Sequence, residues 1–89
     1  MTRAVWKYPL PLAPHTQTLR FPGASVRFLH VAMQDATPTL WAEVDTDSEK
    51  AWDITLTWFG TGHEIPGNAL YVGTVQDGIF VWHLYEVAS

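Results

Sequence analysis

The sequence predicts an all-β domain, a compact antiparallel β-sandwich or partly open barrel of about seven short strands. Apolar residues recur at period two, most clearly at Trp52, Ile54, Leu56 and Trp58, which alternate with Asp53, Thr55 and Thr57. No window carries the i, i+3, i+4, i+7 spacing of a long amphipathic helix. Turn formers divide the chain at short intervals, as at Pro22-Gly23 and Asp77-Gly78.

Taken in order, the first strand spans residues 4–8 and ends where Pro9, Pro11 and Pro14 remove backbone donors and fix φ, which predicts an extended connection. Strands follow over residues 16–21, 25–34 and 39–44, separated by Pro22-Gly23 and by residues 35–38. Residues 45–51 form a polar loop, and the strand over 52–58 buries one face and wets the other. Residues 60–69, with Gly60, Gly62, Gly67 and Pro66, are the longest irregular segment and the natural place for binding groups. Asp77-Gly78 between residues 71–76 and 79–85 predicts a hairpin closed by a two-residue type I′ turn. That register sets Gln76 against Ile79, Val75 against Phe80 and Gly73 against Trp82, so the Trp82 indole would lie over the bare backbone of Gly73. Trp52, Trp58, Phe28, Phe80 and Trp82 are assigned to the core.

The chain of 89 residues is 47% hydrophobic, enough for one core and one domain. Cys is absent, which removes disulfides, thiolate catalysis and Cys-based zinc sites and fits a reducing cytoplasm. No apolar run reaches membrane-spanning length, and residues 1–12 lack the pattern of a signal peptide, so a cytoplasmic protein with no membrane partner is expected. The net charge of -4 is unevenly spread. Arg3, Lys7, Arg20 and Arg27 against Asp35 give residues 1–40 a balance of +3, whereas Lys50 stands alone against eight carboxylates in residues 41–89, a balance of -7. Dispersed cations of this kind disfavour nonspecific binding to duplex DNA.

The segment Gly60-Thr61-Gly62-His63-Glu64-Ile65-Pro66 joins glycines that permit close backbone approach to three polar side chains, a loop able to hold an anion. It lacks the ending of a P-loop, and no helix follows to make a dinucleotide fingerprint. Its plainer account is a glycine turn with His63 and Glu64 bonded to nearby backbone. His15, His30, His63 and His83 have no metal-ligand spacing, so neither a metal nor a cofactor is expected. The second residue after each His is Gln17, Ala32, Ile65 or Tyr85, which excludes the paired H-x-[ST] motifs of two-histidine phosphodiesterases. Ser25, Ser48 and Ser89 have no evident activating base. Glu43, Asp45, Asp47 and Glu49 alternate around a strand end without an EF-hand pattern. They read either as a solvated edge that discourages strand pairing or as an acidic patch that, with Trp41, docks on a basic protein surface.

Residues 5–10 (VWKYPL), 40–45 (LWAEVD), 60–66 (GTGHEIP), 71–74 (YVGT) and 81–86 (VWHLYE) together resemble a small family of phage and prophage proteins. That family's pattern is WKY-x-L, LWA-x-VD, GTGH-x-IP, Y-x-GT and a closing hydrophobic-H-x-x-E strand. The resemblance implies a phage gene expressed in a bacterial cytoplasm, and by analogy a protein that antagonises host defence. Three readings follow. The first is a non-enzymatic inhibitor of a bacterial defence effector, docking through Glu43, Asp45, Asp47, Glu49 and Trp41. The second is a sponge for a cyclic or linear nucleotide immune signal, held by Gly60, Thr61, Gly62 and His63 with stacking or charge from Trp6, Tyr8 or Arg20, in a possible homo-oligomer. The third, with least support, is a phosphoesterase built on His63, Glu64 and His83.

Overall fold

The computed structural model describes residues 2–88, and all of its regular structure is β. The strands are β1 (Arg3–Pro9), β2 (Thr16–Pro22), β3 (Arg27–Gln34), β4 (Thr37–Asp45), β5 (Ala51–Gly60), β6 (Leu70–Asp77) and β7 (Phe80–Val87). They form two antiparallel sheets, one in the order β1-β4-β3 and the other β2-β5-β7-β6. The two sheets do not close into a barrel, so the fold is a sandwich, with overall extents of 41 × 31 × 18 Å.

Period-two alternation explains the core. Leu40, Ala42 and Val44 on β4 face Ile54, Leu56 and Trp58 on β5, joined by Phe21, Val31, Val75, Leu84 and Leu10. Pro38 cannot donate to Leu10, although Leu10 donates to the Pro38 carbonyl at 2.8 Å. The Leu10 carbonyl instead accepts the buried indole N–H of Trp58 at 3.2 Å, so the proline-rich strap is pinned to the centre of the other sheet.

Several expectations are corrected. The last hairpin pairs Asp77 with Phe80, Gln76 with Val81, Val75 with Trp82 and Gly73 with Leu84, so the turn residues are Gly78 and Ile79. Gly78 takes φ +61° and Ile79 does not share that hand, the pattern of a type II′ turn with Gly in the first central position. A slip of two residues keeps every side chain on its intended face, which is why the alternation still reads correctly. The two-residue turn with left-handed φ at both positions lies elsewhere, at Asp35 (φ 49°) and Ala36 (φ 65°) between β3 and β4. Ala there costs about 1 kcal/mol relative to Gly.

Gly73 does have a packing reason, but its neighbour is not Trp82. A Cβ at Gly73 would stand 2.5 Å from Val31 Cγ2 and 2.7 Å from Val31 Cβ, so this glycine lets β6 approach β3 across the sandwich. A bulge at Val72 accompanies it. Of the aromatic residues assigned to the core, Trp58 is buried, and Phe28 and Trp82 are half-buried against it. Trp52 is 50% exposed and Phe80 62% exposed. Trp52 stands at the start of β5, where it lines an open surface pocket with Phe28 of the opposite sheet, and Phe80 stands beside the turn.

Candidate binding groove

β5 ends at Gly60, where the chain folds back on itself. The Gly60 N–H donates to His63 Nδ1 and the His63 N–H to the Gly60 carbonyl, each at 3.1 Å. The His63 ring lies so close over Gly60 that a Cβ there would meet Cε1 at 3.0 Å, and Gly62 turns the chain at φ +91°. Thr61 then points to β7, where its hydroxyl bonds His83 Nε2 at 3.0 Å. The other imidazole nitrogen, Nδ1, bonds Thr74 at 3.0 Å, and Thr74 bonds the Tyr71 hydroxyl at 2.6 Å. A neutral imidazole has one donor and one acceptor, and two hydroxyls satisfy either tautomer.

On the opposite face of β7, the Trp82 indole lies between two histidines. His15 stacks on it at 5.3 Å between centroids, and His63 meets it edge-on at 6.5 Å. Gly60, Thr61, His63, Val81 and Trp82, with Ile79 and Phe80 from the hairpin tip, line a groove of about 550 Å³, within the ~300–1,000 Å³ range of small-molecule sites. Ile79 is 88% exposed on its rim.

The family described as a domain of unknown function, DUF7352, matches residues 1–89. The chain therefore belongs to the DUF7352 family. No curated protein and no solved structure gives a match. The groove and the hairpin tip at its rim are the most distinctive surface features of this DUF7352 domain.

The fold gathers Gly60, Thr61 and His63 at the groove and leaves the other proposed ligand residues elsewhere. Arg20 pairs with Asp53, seven residues before Gly60 on β5, a separation of roughly 23 Å along the strand. Its guanidinium is already engaged, bonding both Asp53 oxygens at 2.8 and 3.1 Å. Trp6 is on β1 in the other sheet. Tyr8, also on β1, packs its ring 4.5 Å from Phe21, and its buried hydroxyl has no partner among the described residues, so burial raises its pKa. Glu43, Asp45, Asp47 and Glu49 lie toward the opposite end of the sandwich. Glu43 is bridged by Arg3 at 3.2 Å and stands across from Arg27. Asp45 accepts the Asp47 N–H, and Asp47 accepts the Thr2 hydroxyl. Trp41 faces outward on β4 with its ring 5.7 Å from His30. His63 and His83 do not share a partner, and among the described residues no group of three His, Asp or Glu side chains is placed to hold a metal. Among the described residues no helix is long and apolar enough to cross a membrane.

Three residues of this region receive no site role from the sequence, Thr74, Ile79 and Phe80, and His15 is weighed there only as a metal ligand. A turn at Gly78-Ile79 would have set Thr74 opposite His83 and both apolar residues at the tip, so the signal was present in the alternative turn type.

The Arg20 and Asp53 pair makes a pH prediction. The hydrogen bond from Arg20 holds the Asp53 carboxyl below the ordinary carboxylate range. Its stabilising contribution is present above the unfolded pKa and is lost as pH falls through the depressed folded value. A carboxyl-detected NMR titration is expected to show a low midpoint for Asp53 that moves up in Arg20→Gln. Because both side chains are exposed, the shift should shrink in high salt, and an unchanged midpoint in Arg20→Gln would contradict the assignment.

Proposed function

We propose that this domain is a non-enzymatic, phage-type binding protein that blocks a bacterial defence effector, inserting the β6–β7 tip and the loop over residues 60–63 into an apolar recess on it. The observation that carries this reading is the display of Ile79 on the two-residue turn and of Phe80 at the start of β7 beside it, at the rim of the groove and with Trp82 on the same lining. Large exposed apolar groups mark interaction sites, and a few buried aromatic or aliphatic anchors supply most of an interface's energy. The phage setting rests on the motifs at residues 5–10, 40–45, 60–66, 71–74 and 81–86. The carboxylates of Glu43, Asp45 and Asp47 are engaged within the chain, which favours the hairpin end over the acidic end as the docking surface.

A second reading draws on the groove volume, which suits a nucleotide immune signal sequestered beside Thr61 and His63. One experiment separates the two. The protein is expressed in bacteria carrying a panel of defence systems, and phage plaquing is scored. Restored plaquing that falls at least about 30-fold in Ile79→Asp/Phe80→Asp, roughly 2 kcal/mol of lost binding, supports the inhibitor. Restoration unaffected by the double variant overturns it. Calorimetric binding of a cyclic nucleotide that is lost in His63→Ala, without any such dependence on Ile79 and Phe80, assigns the groove to sequestration.

A further inference from the structure

A two-layer sandwich has four sheet edges, and three of these are blunted here. β3 is bulged at Leu29 and β6 at Val72, and the two pack against each other where Gly73 meets Val31. On β1, the Thr46 N–H to Thr2 carbonyl bond at 2.8 Å fixes the ladder phase. Residues 4, 6 and 8 bond inward to β4, so the outward main-chain groups belong to Arg3, Val5, Lys7 and Pro9. Two cations and a residue without an N–H defend that edge.

β2 has no such defence. The Trp58 N–H donates to the His15 carbonyl at 2.9 Å and the Gly23 N–H to the Lys50 carbonyl at 2.9 Å, which sets Gln17, Leu19 and Phe21 as the residues bonded to β5. The outward groups therefore belong to Thr16, Thr18 and Arg20, all exposed, on a strand whose register with β5 is continuous. Its one charge is neutralised by Asp53. Pro22 lacks its N–H on the outward side, so it ends this edge without breaking the sheet.

We propose that β2 is the interface with a second copy of this chain, paired antiparallel about a two-fold axis at Thr18. The outward groups are self-complementary in that register. Thr18 bonds Thr18 of the second copy, and Thr16 meets the second copy's Arg20, so no like charges face each other. The two four-stranded sheets then form one continuous sheet. A second observation lies on the same side of the sandwich. Trp6 pairs with the fully buried Ala42 and so shares the core-facing side of β1, yet the residue is 44% exposed. The groove is unaffected, because β2 and β6 are opposite edges of their sheet.

The test is the mass in solution by sedimentation across a concentration series, with two variants. The wild-type chain is expected at about twice the 10.0 kDa protomer mass. Thr18→Pro removes an outward N–H and no main-chain bond to β5, giving up only the Thr18–Thr55 hydroxyl bond at 2.8 Å, and should sediment as a folded monomer. Thr18→Cys introduces a cysteine into a chain that has none. Its two copies would lie about 5.5 Å apart between Cα atoms, inside disulfide range, so mild oxidation should yield a covalent dimer that Thr16→Cys does not form. A wild-type monomer throughout the series overturns the proposal, as does a dimer that survives Thr18→Pro and leaves Thr18→Cys uncrosslinked.

Discussion

Phe21→Ala is expected to lower the unfolding free energy by about 3–5 kcal/mol, a large share of the ~5–15 kcal/mol available to a domain of ordinary stability. Phe21 is fully buried, and its ring lies 4.5 Å from Tyr8 and 5.9 Å from Phe28. It thus ties β2 of one sheet to both edge strands of the other. Truncation removes those contacts and leaves a void between sheets whose separation is set elsewhere, at Leu84, Leu40 and Leu56, so collapse around it is limited. The matched comparison is Trp52, which stands directly across from Phe21 in the register of β2 and β5. Half of Trp52 is in solvent, and Trp52→Ala should cost under about half as much. Urea denaturation of both variants measures the difference. Equal losses would mean that Trp52 contributes far more to the core than its exposure indicates.

Gly73→Val should be similarly damaging for the opposite reason. Its Cβ would fall on the Cβ and Cγ2 of Val31, at distances no pair of carbons tolerates, and Val31 is β-branched and cannot swing aside. β3 and β6 must then separate along the seam that closes one side of the sandwich, with an expected loss of about 3 kcal/mol, the upper end for overpacking. Gly73→Ala is the milder form. Combined with Val31→Gly, it should lose less than the sum of the two single changes, since the new methyl occupies space that Val31 vacates. Strict additivity in that double-mutant cycle would remove the steric account of Gly73.

How much of this was legible depends on how local each feature is. The strand at Trp52 to Trp58 and the hairpin near Asp77-Gly78 declare themselves within a few residues, and both are present. Their finer geometry is decided by competition that the local pattern does not resolve. Asp77-Gly78 and Gly78-Ile79 are both plausible two-residue turns, and the fold takes the second. Ala36 carries no left-handed signal at all, so the sequence predicts a longer break over residues 35–38 where the fold makes a turn at Asp35-Ala36. The candidate site divides in the same way. Gly60, Thr61 and His63 lie together because they are adjacent in sequence and bonded through Gly60. Only their chemistry links Trp6, Tyr8 and Arg20 to that loop, and the pairings of β1 with β4 and β2 with β5 carry them elsewhere.

Those same pairings govern how the chain can assemble during synthesis. β1 has no sheet partner until β4 has emerged, and β2 none until β5, so the first 36 residues leave the ribosome with no complete ladder to join. Only the β3–β4 and β6–β7 hairpins are local, and β7 must enter between β5 and β6 before the larger sheet exists. A nascent chain with this connectivity stays without a complete sheet over most of its length and closes late, in the milliseconds-to-seconds regime of non-local β topologies.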